Sequence, residues 1–430
     1  MSANWTPYRV DGEIGRFSFP SYRLERAGEV VFDSGRELFP ALSGEQWYLT
    51  RGFKEIALFY GAVKRPYRET AAVINRLRRV SEATPMRSLR AQSEREGAKL
   101  QAHIEQKSVA ILLAHGVRSE EDGSVKGPRF GRKGIKQKGA SAVAAALAAC
   151  AEEAEVRAEM AANPVPYEEP AQSVNLAVDD VGVKRQKARR KKAGPEEAAQ
   201  TASQAAQREE KKRVHTTVAH VETEQGVYVL SGLGVVALLR QVLALLLANS
   251  LTRRSLIVFV DGQRSLHTAL EKVLSCWRSW RVILDWYHLE KRCRENLSLA
   301  LSGRKVRNQV LEQLLALLWD GRVESALAYL VGLPSEQIKQ GAELEKLIDY
   351  LGRQRPHIPC YSVRKQLGLR NSSNRGEKEN DLVVAQRQKH NGMSWSPPGS
   401  IALAALATAA RNQEVDRWFK TGEIKFELAA

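Results

Sequence analysis

The period of the hydrophobic positions changes several times along the chain, and each change predicts a different kind of element. Residues 8 to 45 alternate in short extended pieces separated by turns. From residue 50 the apolar positions recur every three or four residues, which is typical of amphipathic helices. Two further helices are predicted at residues 67–79 and at 85 to about 96, with Thr84 as N-cap and Pro85 at the first helical position.

Residues 121–166 have the pattern of a connector. Residues 121–139 are rich in glycine and lysine, which favours a flexible basic loop, and an Ala/Glu-rich helix is predicted over 141–162. The sequence Asn163-Pro-Val-Pro166 ends that helix, because proline cannot donate the next backbone hydrogen bond. This proline pair is the best candidate for a domain boundary.

Beyond residue 166 strands and helices follow one another in the order of a mixed α/β sheet. A strand over 174–178 leads into Asp179 and Asp180, and a charged, Ala-rich insertion over 184–212 separates it from a hairpin around residues 224–226. Next come a helix, an apolar strand over 255–260 that is followed by Asp261, a second helix and a strand that ends before Asp285. Residues 289–355 are predicted to be helical, and residues 373–387 form one more helix. This order predicts an α/β fold with carboxylates at strand ends.

Composition limits the class of protein. The 430 residues carry a formal charge of +17, which favours a polyanionic partner such as DNA. The four cysteines lie far apart, so neither a zinc ribbon nor a disulfide framework is expected, and a reducing compartment is favoured. The N-terminus has no signal pattern, and the most apolar stretch carries Arg240 and Gln241 at its centre. A buried helix is therefore expected there instead of a membrane span, and the protein is expected to be soluble and cytoplasmic, in a bacterium at the nucleoid.

The two helices on either side of residue 81 have the outline of a helix-turn-helix. The second carries Arg87 and Arg90, which could reach guanine edges from the major groove. The alternative is an ordinary helical hairpin with an arginine-rich solvated face. The basic surroundings favour DNA binding.

Three acidic residues are candidates for metal binding because of the elements on which they fall. Asp179 and Asp261 end predicted strands, and Glu377 lies near the start of a late helix. Groups just past strand ends converge on one edge of an α/β sheet, and carboxylate oxygens are the ligands that Mg²⁺ prefers. Two such ions can activate both the attacking and the leaving oxygen of a phosphodiester. Individually, the aspartates could be turn residues, and Glu377 could form a capping box with Asn374.

The order of these motifs resembles a known family. The segments Val178-Asp-Asp-Val-Gly-Val183, Val260-Asp-Gly-Gln263, Leu284-Asp-Trp-Tyr-His288 and Glu377-Lys-Glu-Asn-Asp-Leu-Val-Val-Ala-Gln-Arg387 are similar to bacterial insertion-sequence transposases related to the Mutator group. The following Gln388-Lys-His-Asn-Gly-Met-Ser-Trp395 resembles the Gly-Met-x-Trp ending of that family. The resemblance covers the chain from about residue 174 to the C-terminus.

The resemblance implies an RNase H-like core interrupted by an all-helical insertion. Asp179, Asp261 and Glu377 would be the catalytic and metal-binding triad for two Mg²⁺ or Mn²⁺ ions, and Asp285 and His288 would form an accessory motif. The domains would be an N-terminal region with the helix-turn-helix (1–120), a basic loop and linker helix (121–166), the first part of the core (167–288), the insertion (289–370) and the last part of the core (371–430).

The chain departs from the family pattern at two places. The first site has two acids, so Asp180 could replace Asp179, and the charged stretch over 184–212 lengthens the first hairpin. Neither departure removes a required carboxylate, so activity is expected.

The function implied is that of a DNA transposase that acts on terminal inverted repeats and target DNA as a homodimer or higher synaptic oligomer, without a nucleotide cofactor. The alternatives are a domesticated DNA-binding protein on the same fold and a stand-alone nuclease. Arg387 and Lys389 follow the predicted catalytic helix and could contact phosphates near the scissile bond. The alternative for this segment is that Trp395 is a core residue and the cations form a solvated face.

Overall fold

The computed structural model describes residues 2–12, 15–38, 47–59, 63, 65–77, 85–187, 212–389 and 393–428. The chain divides into two compact units. The first unit combines Met1–Ile104, Gly182–Val214 and Leu382–Lys425, and the second combines Glu105–Val181, His215–Asp381 and Phe426–Ala430.

The prolines at 164 and 166 lie inside the second unit, so the predicted boundary at residue 166 does not separate the two. Packing explains the difference. The Asn163 amide donates to the carbonyl oxygens of Gly321 and Ile358, and Val165 is buried against Ile257 and Phe259 of the sheet. The helix predicted over 141–162 is also two helices, Ala140–Cys150 and Ala154–Ala161.

The first unit begins with a four-stranded sheet. Strands β1 (Ser2–Gly12), β2 (Gly15–Arg26), β3 (Glu29–Asp33) and β4 (Trp47–Leu49) lie in the order β3-β2-β1-β4. The prediction of extended pieces is confirmed, and the pieces form one sheet, in which β1, β2 and β3 make an antiparallel meander and β4 lies parallel to β1. The N-terminal region is therefore less helical than expected.

The helices of the first unit are Arg51–Phe59, Tyr67–Leu77, Pro397–Arg411, Val415–Thr421 and the N-terminal part of Met86–Ala114. The last of these was expected to end near residue 96, yet it runs for 29 residues. Gly97 allows a close crossing there, because a Cβ on Gly97 would lie 2.1 Å from the carbonyl oxygen of Ala402. The predicted turn at residues 81–84, with its N-cap Thr84, lies outside the described residues.

The second unit contains a mixed five-stranded sheet in the order β11-β10-β7-β8-β9. Its strands are β7 (Ser173–Lys184), β8 (Arg213–Thr223), β9 (Gly226–Gly232), β10 (Ser255–Val260) and β11 (Trp280–Leu284), after a small hairpin of β5 (Arg118–Ser119) and β6 (Val125–Lys126). β10 is parallel to both of its neighbours, whereas β8 and β9 form an antiparallel hairpin. The α/β class is confirmed.

Two helices connect the strands of this sheet. The helix Val235–Ala248 links β9 to β10, and Arg264–Leu274 links β10 to β11. The first is the apolar stretch that was expected to be a buried helix, and Gln241 at its centre is 4% exposed. Among the described residues, no helix has both the length and the apolarity needed to cross a membrane.

A block of helices follows β11 and builds a core of its own. Its members are Trp286–Ala300, Arg304–Trp319, Val323–Val331, Gly341–Gln354 and Tyr361–Gln366, which we call the helical block. Leu314, Leu318 and Leu347 are fully buried in this core, and burial of each contributes about 1.5–3 kcal/mol to stability. The chain then returns to the sheet through the helix Asn374–Asn380, a π-helical turn at Asp381–Ala385 and the short helix Gln386–Gln388.

Candidate metal centre

The site is built at the edge of the second unit's sheet where β10 ends. The last parallel pair joins Phe259 of β10 to Ala177 of β7, so Asp261 and Asp179 follow two positions further along their strands. Asp261 comes after the end of β10, as predicted. Asp179 lies within β7, which continues to Lys184, so the expectation that Asp179 closes its strand is wrong. The strand continues because β8 still lies beside β7 after β10 has ended.

Glu377 approaches from the opposite direction, on the helix Asn374–Asn380. Gly376 lets this helix lie directly on β7, because a Cβ at that position would be 2.7 Å from the Cβ of Ala177. Ser373 is the N-cap residue, and no side chain caps this helix. The alternative that Glu377 pairs with Asn374 in a capping box is therefore not realised.

Asp179 interacts electrostatically with both Asp261 and Glu377, so the three carboxylates lie in one region. Among the described residues, however, the group whose ligand atoms all lie within 4.8 Å of one another is a different one, made of Asp285, His288 and Glu377. Burial raises the pKa of Asp179, and the neighbouring carboxylates of Asp261 and Asp180 raise it further. Burial likewise raises the pKa of Glu377, with added contributions from the charges of Asp285 and Asp179. Such mutual repulsion favours a bound cation. We call Asp179, Asp261 and Glu377 the carboxylate site.

Asp180 has a different environment. It is exposed, and its carboxylate accepts a hydrogen bond of 2.5 Å from the Thr217 hydroxyl on β8. Neighbouring residues of a strand point to opposite faces, so only one of the two aspartates can face Asp261. The charge interactions with Asp261 and Glu377 favour Asp179 as the member of the site.

Asn380 belongs to the same site and was missed at the sequence level. Its amide nitrogen donates a 2.5 Å hydrogen bond to one oxygen of Asp179, whose other oxygen accepts from the Asp180 backbone. Asn380 follows Glu377 by three residues, so the two lie on the same face of their helix. That spacing was the signal available in the sequence, and its meaning depends on knowing that the helix packs on β7.

Asp285 and His288 form a compact unit beside Glu377. Asp285 is fully buried and caps the helix Trp286–Ala300 by accepting from the His288 backbone at 3.0 Å. The same oxygen lies 3.2 Å from His288 Nδ1, and the other oxygen accepts from the Ser373 backbone. His288 Nε2 is 3.8 Å from the nearest oxygen of Glu377. His288 is therefore half-buried between two acids.

Two sets of donors in this region could hold a cation. The first set, within the described part of the chain, is Asp285, His288 and Glu377. Each offers one oxygen or nitrogen atom, and these three atoms lie within 4.8 Å of one another. Asp285, however, already accepts from three N–H groups and is fully buried, so it suits a supporting role. Asp179, Asp261 and Glu377 offer only oxygen ligands, which is the donor set that Mg²⁺ and Mn²⁺ prefer. The chemistry of these oxygen donors suits the predicted ions, and binding of those ions stays a prediction.

The Asp285–His288 contact predicts a pH-dependent stability. The hydrogen bond to Asp285 holds the pKa of His288 above its ordinary value, although burial opposes this. The pKa of His288 is higher in the folded protein than in the unfolded chain, where it is about 6.5. The protonated ring therefore stabilises the fold fully at pH values below about 6.5, and this stabilisation is lost as the pH rises through the folded-state pKa. We therefore expect Asp285→Asn to destabilise the metal-free protein more at pH 6 than at pH 8.

Urea unfolding at the two pH values measures that difference, and NMR titration of the His288 ring should give a lower pKa in the variant. Although burial opposes it, the hydrogen bonds from His288 and Ser373 lower the pKa of Asp285, so the titration of Asp285 itself lies far below this window. The exposed Asp349 supplies the control Asp349→Asn. An equal loss of stability at both pH values, or an unchanged His288 pKa, would contradict the prediction.

A second prediction concerns Asn380. Its hydrogen bond orients Asp179, and removing a partner that orients a metal ligand typically costs about 10–100-fold in metal affinity or activity. We expect Asn380→Ala to slow metal-dependent DNA cleavage by that factor and to raise the Mg²⁺ concentration needed for half-maximal rate. The control is Asn163→Ala. It also removes a side-chain amide that donates hydrogen bonds, but to backbone carbonyls and not to a carboxylate, so the Mg²⁺ requirement should be unchanged. If Asn380→Ala had the same Mg²⁺ requirement as the parent protein, Asn380 would have no role in orienting a metal ligand.

The side chains that were predicted to contact DNA lie in different environments. Arg87 is exposed, and Arg90 is partly exposed and paired with Glu94 at 2.7 Å along the same helix. Both remain available for the predicted major-groove contacts. Lys389 is exposed and also remains a prediction, whereas His390 lies outside the described residues.

Arg387 was predicted to contact phosphates, and this prediction is wrong. Its side chain is 2% exposed, with the guanidinium 4.7 Å from the centre of the Tyr67 ring and 5.3 Å from that of Trp395. Trp395 is itself buried and donates from its indole nitrogen to the Gln388 carbonyl. The alternative that Trp395 is a core residue is confirmed, and Arg387 stabilises the first unit through cation–π contacts.

Comparison with protein-family models, with characterised proteins and with solved structures found no match to this chain.

Proposed function

We propose that this protein is a DNA transposase of the Asp-Asp-Glu type, which cuts DNA at the ends of a mobile element and joins those ends to target DNA. The observation that carries the proposal is the carboxylate site. Asp179, Asp261 and Glu377 come from three different parts of the chain, and the charge of Asp179 interacts with that of each of the other two at one edge of the sheet.

The fold supports the proposal. The mixed sheet consists of one strand, then a hairpin, then two further strands that are each reached through a helix. This is the element order expected of an RNase H-like core. The helical block is inserted between β11 and the helix that carries Glu377, as the family resemblance implies. The site therefore joins residues from both sides of a long helical insertion.

The chemistry follows from the residues. Two bound Mg²⁺ or Mn²⁺ ions would activate a water molecule or the 3′-hydroxyl of the DNA and would neutralise the charge that develops on the phosphodiester. Asp179, Asp261 and Glu377 would hold those ions, and Asn380 orients Asp179 through its hydrogen bond. His288 stands between Asp285 and Glu377, so it holds the position of Glu377 until the site is loaded.

The partner proposed is DNA. The formal charge of +17 favours attraction to a polyanion, and the exposed Arg87 and Lys389 and the partly exposed Arg90 are candidates for DNA contacts in the first unit. Recognition of two element ends at once calls for a homodimer or a higher synaptic oligomer.

The experiment that tests the proposal uses the gene together with its natural flanking DNA on a plasmid. Expression of the intact protein should yield excised or rejoined DNA junctions that begin at inverted repeats, detected by sequencing across the ends. Asp261→Asn should abolish these junctions. Sequence-specific binding without junctions would favour the domesticated DNA-binding protein, and cleavage without end specificity or joining would favour the nuclease.

A further inference from the structure

A basic groove leads away from the carboxylate site. It has a volume of about 660 Å³ and lies among the helices Arg264–Leu274, Trp286–Ala300 and Gly341–Gln354. Asp261 and His288 line one part of it. The groove is therefore continuous with the site and is not a separate cavity.

Each of the three helices contributes one face to this groove. Residues spaced at i, i+3, i+4 and i+7 share one face of a helix, and the lining follows that spacing on every helix or its continuation. The lining residues are Arg264, His267, Thr268 and Glu271 on the first helix, His288, Lys291, Arg292 and Glu295 on the second, and Tyr350, Arg353, Gln354 and His357 on and just beyond the third.

Gly262 explains how the helical block comes so close to the turn that carries Asp261. Its φ angle is +86°, and a Cβ there would lie 3.0 Å from the Tyr350 hydroxyl. The Gln354 amide donates to the Gly262 carbonyl at 3.3 Å. The helical block therefore contacts the metal-binding turn directly and forms a wall beside it.

Four cations in the lining are available for a ligand. Arg264, Lys291, Arg292 and Arg353 are exposed, and none of them forms a salt bridge with any residue that the structure describes. The Arg292 guanidinium rests over the Tyr350 ring at 5.6 Å, which orients it. Lys291 is close enough to Glu377 to act against the rise in the pKa of that carboxyl.

The remaining charged and titratable residues define the direction of the groove. Burial lowers the pKa of His267 and His357, that of His357 to about 4, so both rings are neutral at pH 7. Glu271 and Glu295 lie seven residues beyond Arg264 and His288, or about 10 Å along their helices. Among the lining residues of the first and second helices, the cations therefore lie nearer the carboxylate site than these two acids do.

We propose that this basic groove binds the single DNA strand that continues from the scissile phosphodiester, with its phosphates on Arg264, Lys291, Arg292 and Arg353. This inference rests on the proposed function and extends it to the strand beside the cut. A volume of this size matches about two nucleotides of a single strand and is too small to enclose a duplex. The neutral imidazoles of His267 and His357 can stack with bases or bond to their edges.

The test measures binding of full-length protein to a fluorescent duplex with a short single-stranded tail and to the same duplex with blunt ends. EDTA is present, so that metal-dependent cleavage does not occur. Arg292→Gln/Arg353→Gln should abolish the preference for the tailed DNA. It should also lower the slope of log affinity against log salt by about 1.4, because two phosphate contacts are lost from a single strand.

The matched control is Arg294→Gln/Lys346→Gln, which makes the same charge change on the same two helices at exposed side chains paired with Glu290 and Glu343. It should retain the preference for the tail. Arg264→Gln/Lys291→Gln serves as a second groove variant if the first unfolds at a lower temperature than the parent protein.

The two possible failures differ in their signature. Equal slopes and equal tail preference in groove and control variants would overturn the groove assignment while leaving DNA binding intact. Loss of binding to both DNAs by the unmodified protein would overturn the proposed function together with the inference.

Discussion

Asp179→Asn, Asp261→Asn and Glu377→Gln are each expected to reduce metal-dependent DNA cleavage by about three orders of magnitude or more. Each change preserves the shape of the side chain and removes the negative charge that binds a divalent ion. Loss of one group that stabilises the transition state through charge typically costs about 10²–10³ in rate, and loss of a metal ligand should cost at least as much. The measurement is the rate of strand cleavage in Mg²⁺ at saturating DNA.

The chain offers a matched control for two of these variants. Asp180→Asn makes the same change one residue from Asp179, on a side chain that bonds to Thr217. Glu379→Gln makes the same change two residues from Glu377, on the same helix. Both controls should cleave at rates close to that of the parent protein. If Asp180→Asn were inactive and Asp179→Asn active, the assignment of the first ligand would be reversed.

A second readout separates metal binding from catalysis. Any ligand that binds only the folded state stabilises it, so Mg²⁺ or Mn²⁺ should raise the unfolding temperature of the parent protein. The three carboxylate variants should lose most of this effect. They should also unfold at a higher temperature than the parent in EDTA, since removing one charge relieves the repulsion that raises the pKa of Asp179 and Glu377. DNA binding should be nearly unchanged.

The sequence was sufficient to locate the elements of the sheet, because their hydrophobic pattern is local. The apolar strand over 255–260 was predicted with the bounds that the structure has, and Asp261 directly follows it. The end of β7 was predicted at the wrong place. The length of β7 depends on its pairing with β8. The long charged stretch separates the two strands in the sequence, so the residues near the end of β7 do not indicate this pairing.

The errors about side chains have the same origin. Arg387 looked like a surface cation because arginine usually is one, and only the folded chain brings Tyr67 and Trp395 to its guanidinium. Asn380 looked unremarkable because its partner Asp179 is 201 residues away. Asp285 and His288 were found because their contact is local, at a spacing of three residues in the first turn of a helix.

The largest loss of stability is expected from breaking the buried ion pair between Arg364 and Glu168. Arg364 is 0% and Glu168 3% exposed, and two hydrogen bonds of 2.6 and 2.7 Å join the guanidinium to the carboxylate. Removing one member of such a pair leaves a buried charge without its partner, which costs about 3–5 kcal/mol. We expect Glu168→Gln to lower the free energy of unfolding by that amount, as measured by urea denaturation.

The exposed pair of Arg355 and Glu324 provides the control, with a similar distance of 2.7 Å and side chains that are more than half exposed. Because solvent screens such a pair, Glu324→Gln should cost less than about 1 kcal/mol. Replacing both buried partners, as in Glu168→Leu/Arg364→Met, should recover part of the loss, since no charge is then left unpaired. Equal costs for Glu168→Gln and Glu324→Gln would show that the buried pair contributes little.

The buried pair also matters for the carboxylate site, because Arg364 holds the segment that leads to Glu377. Its guanidinium donates twice to the Arg370 carbonyl, at 3.0 and 2.7 Å. Three residues later the Ser373 backbone donates to Asp285, and the helix that carries Glu377 begins. At a urea concentration where Glu168→Gln is still folded, we therefore expect slower cleavage and a weaker Mg²⁺ response. Unchanged cleavage under these conditions would mean that Asp285 alone is sufficient to hold this segment in place.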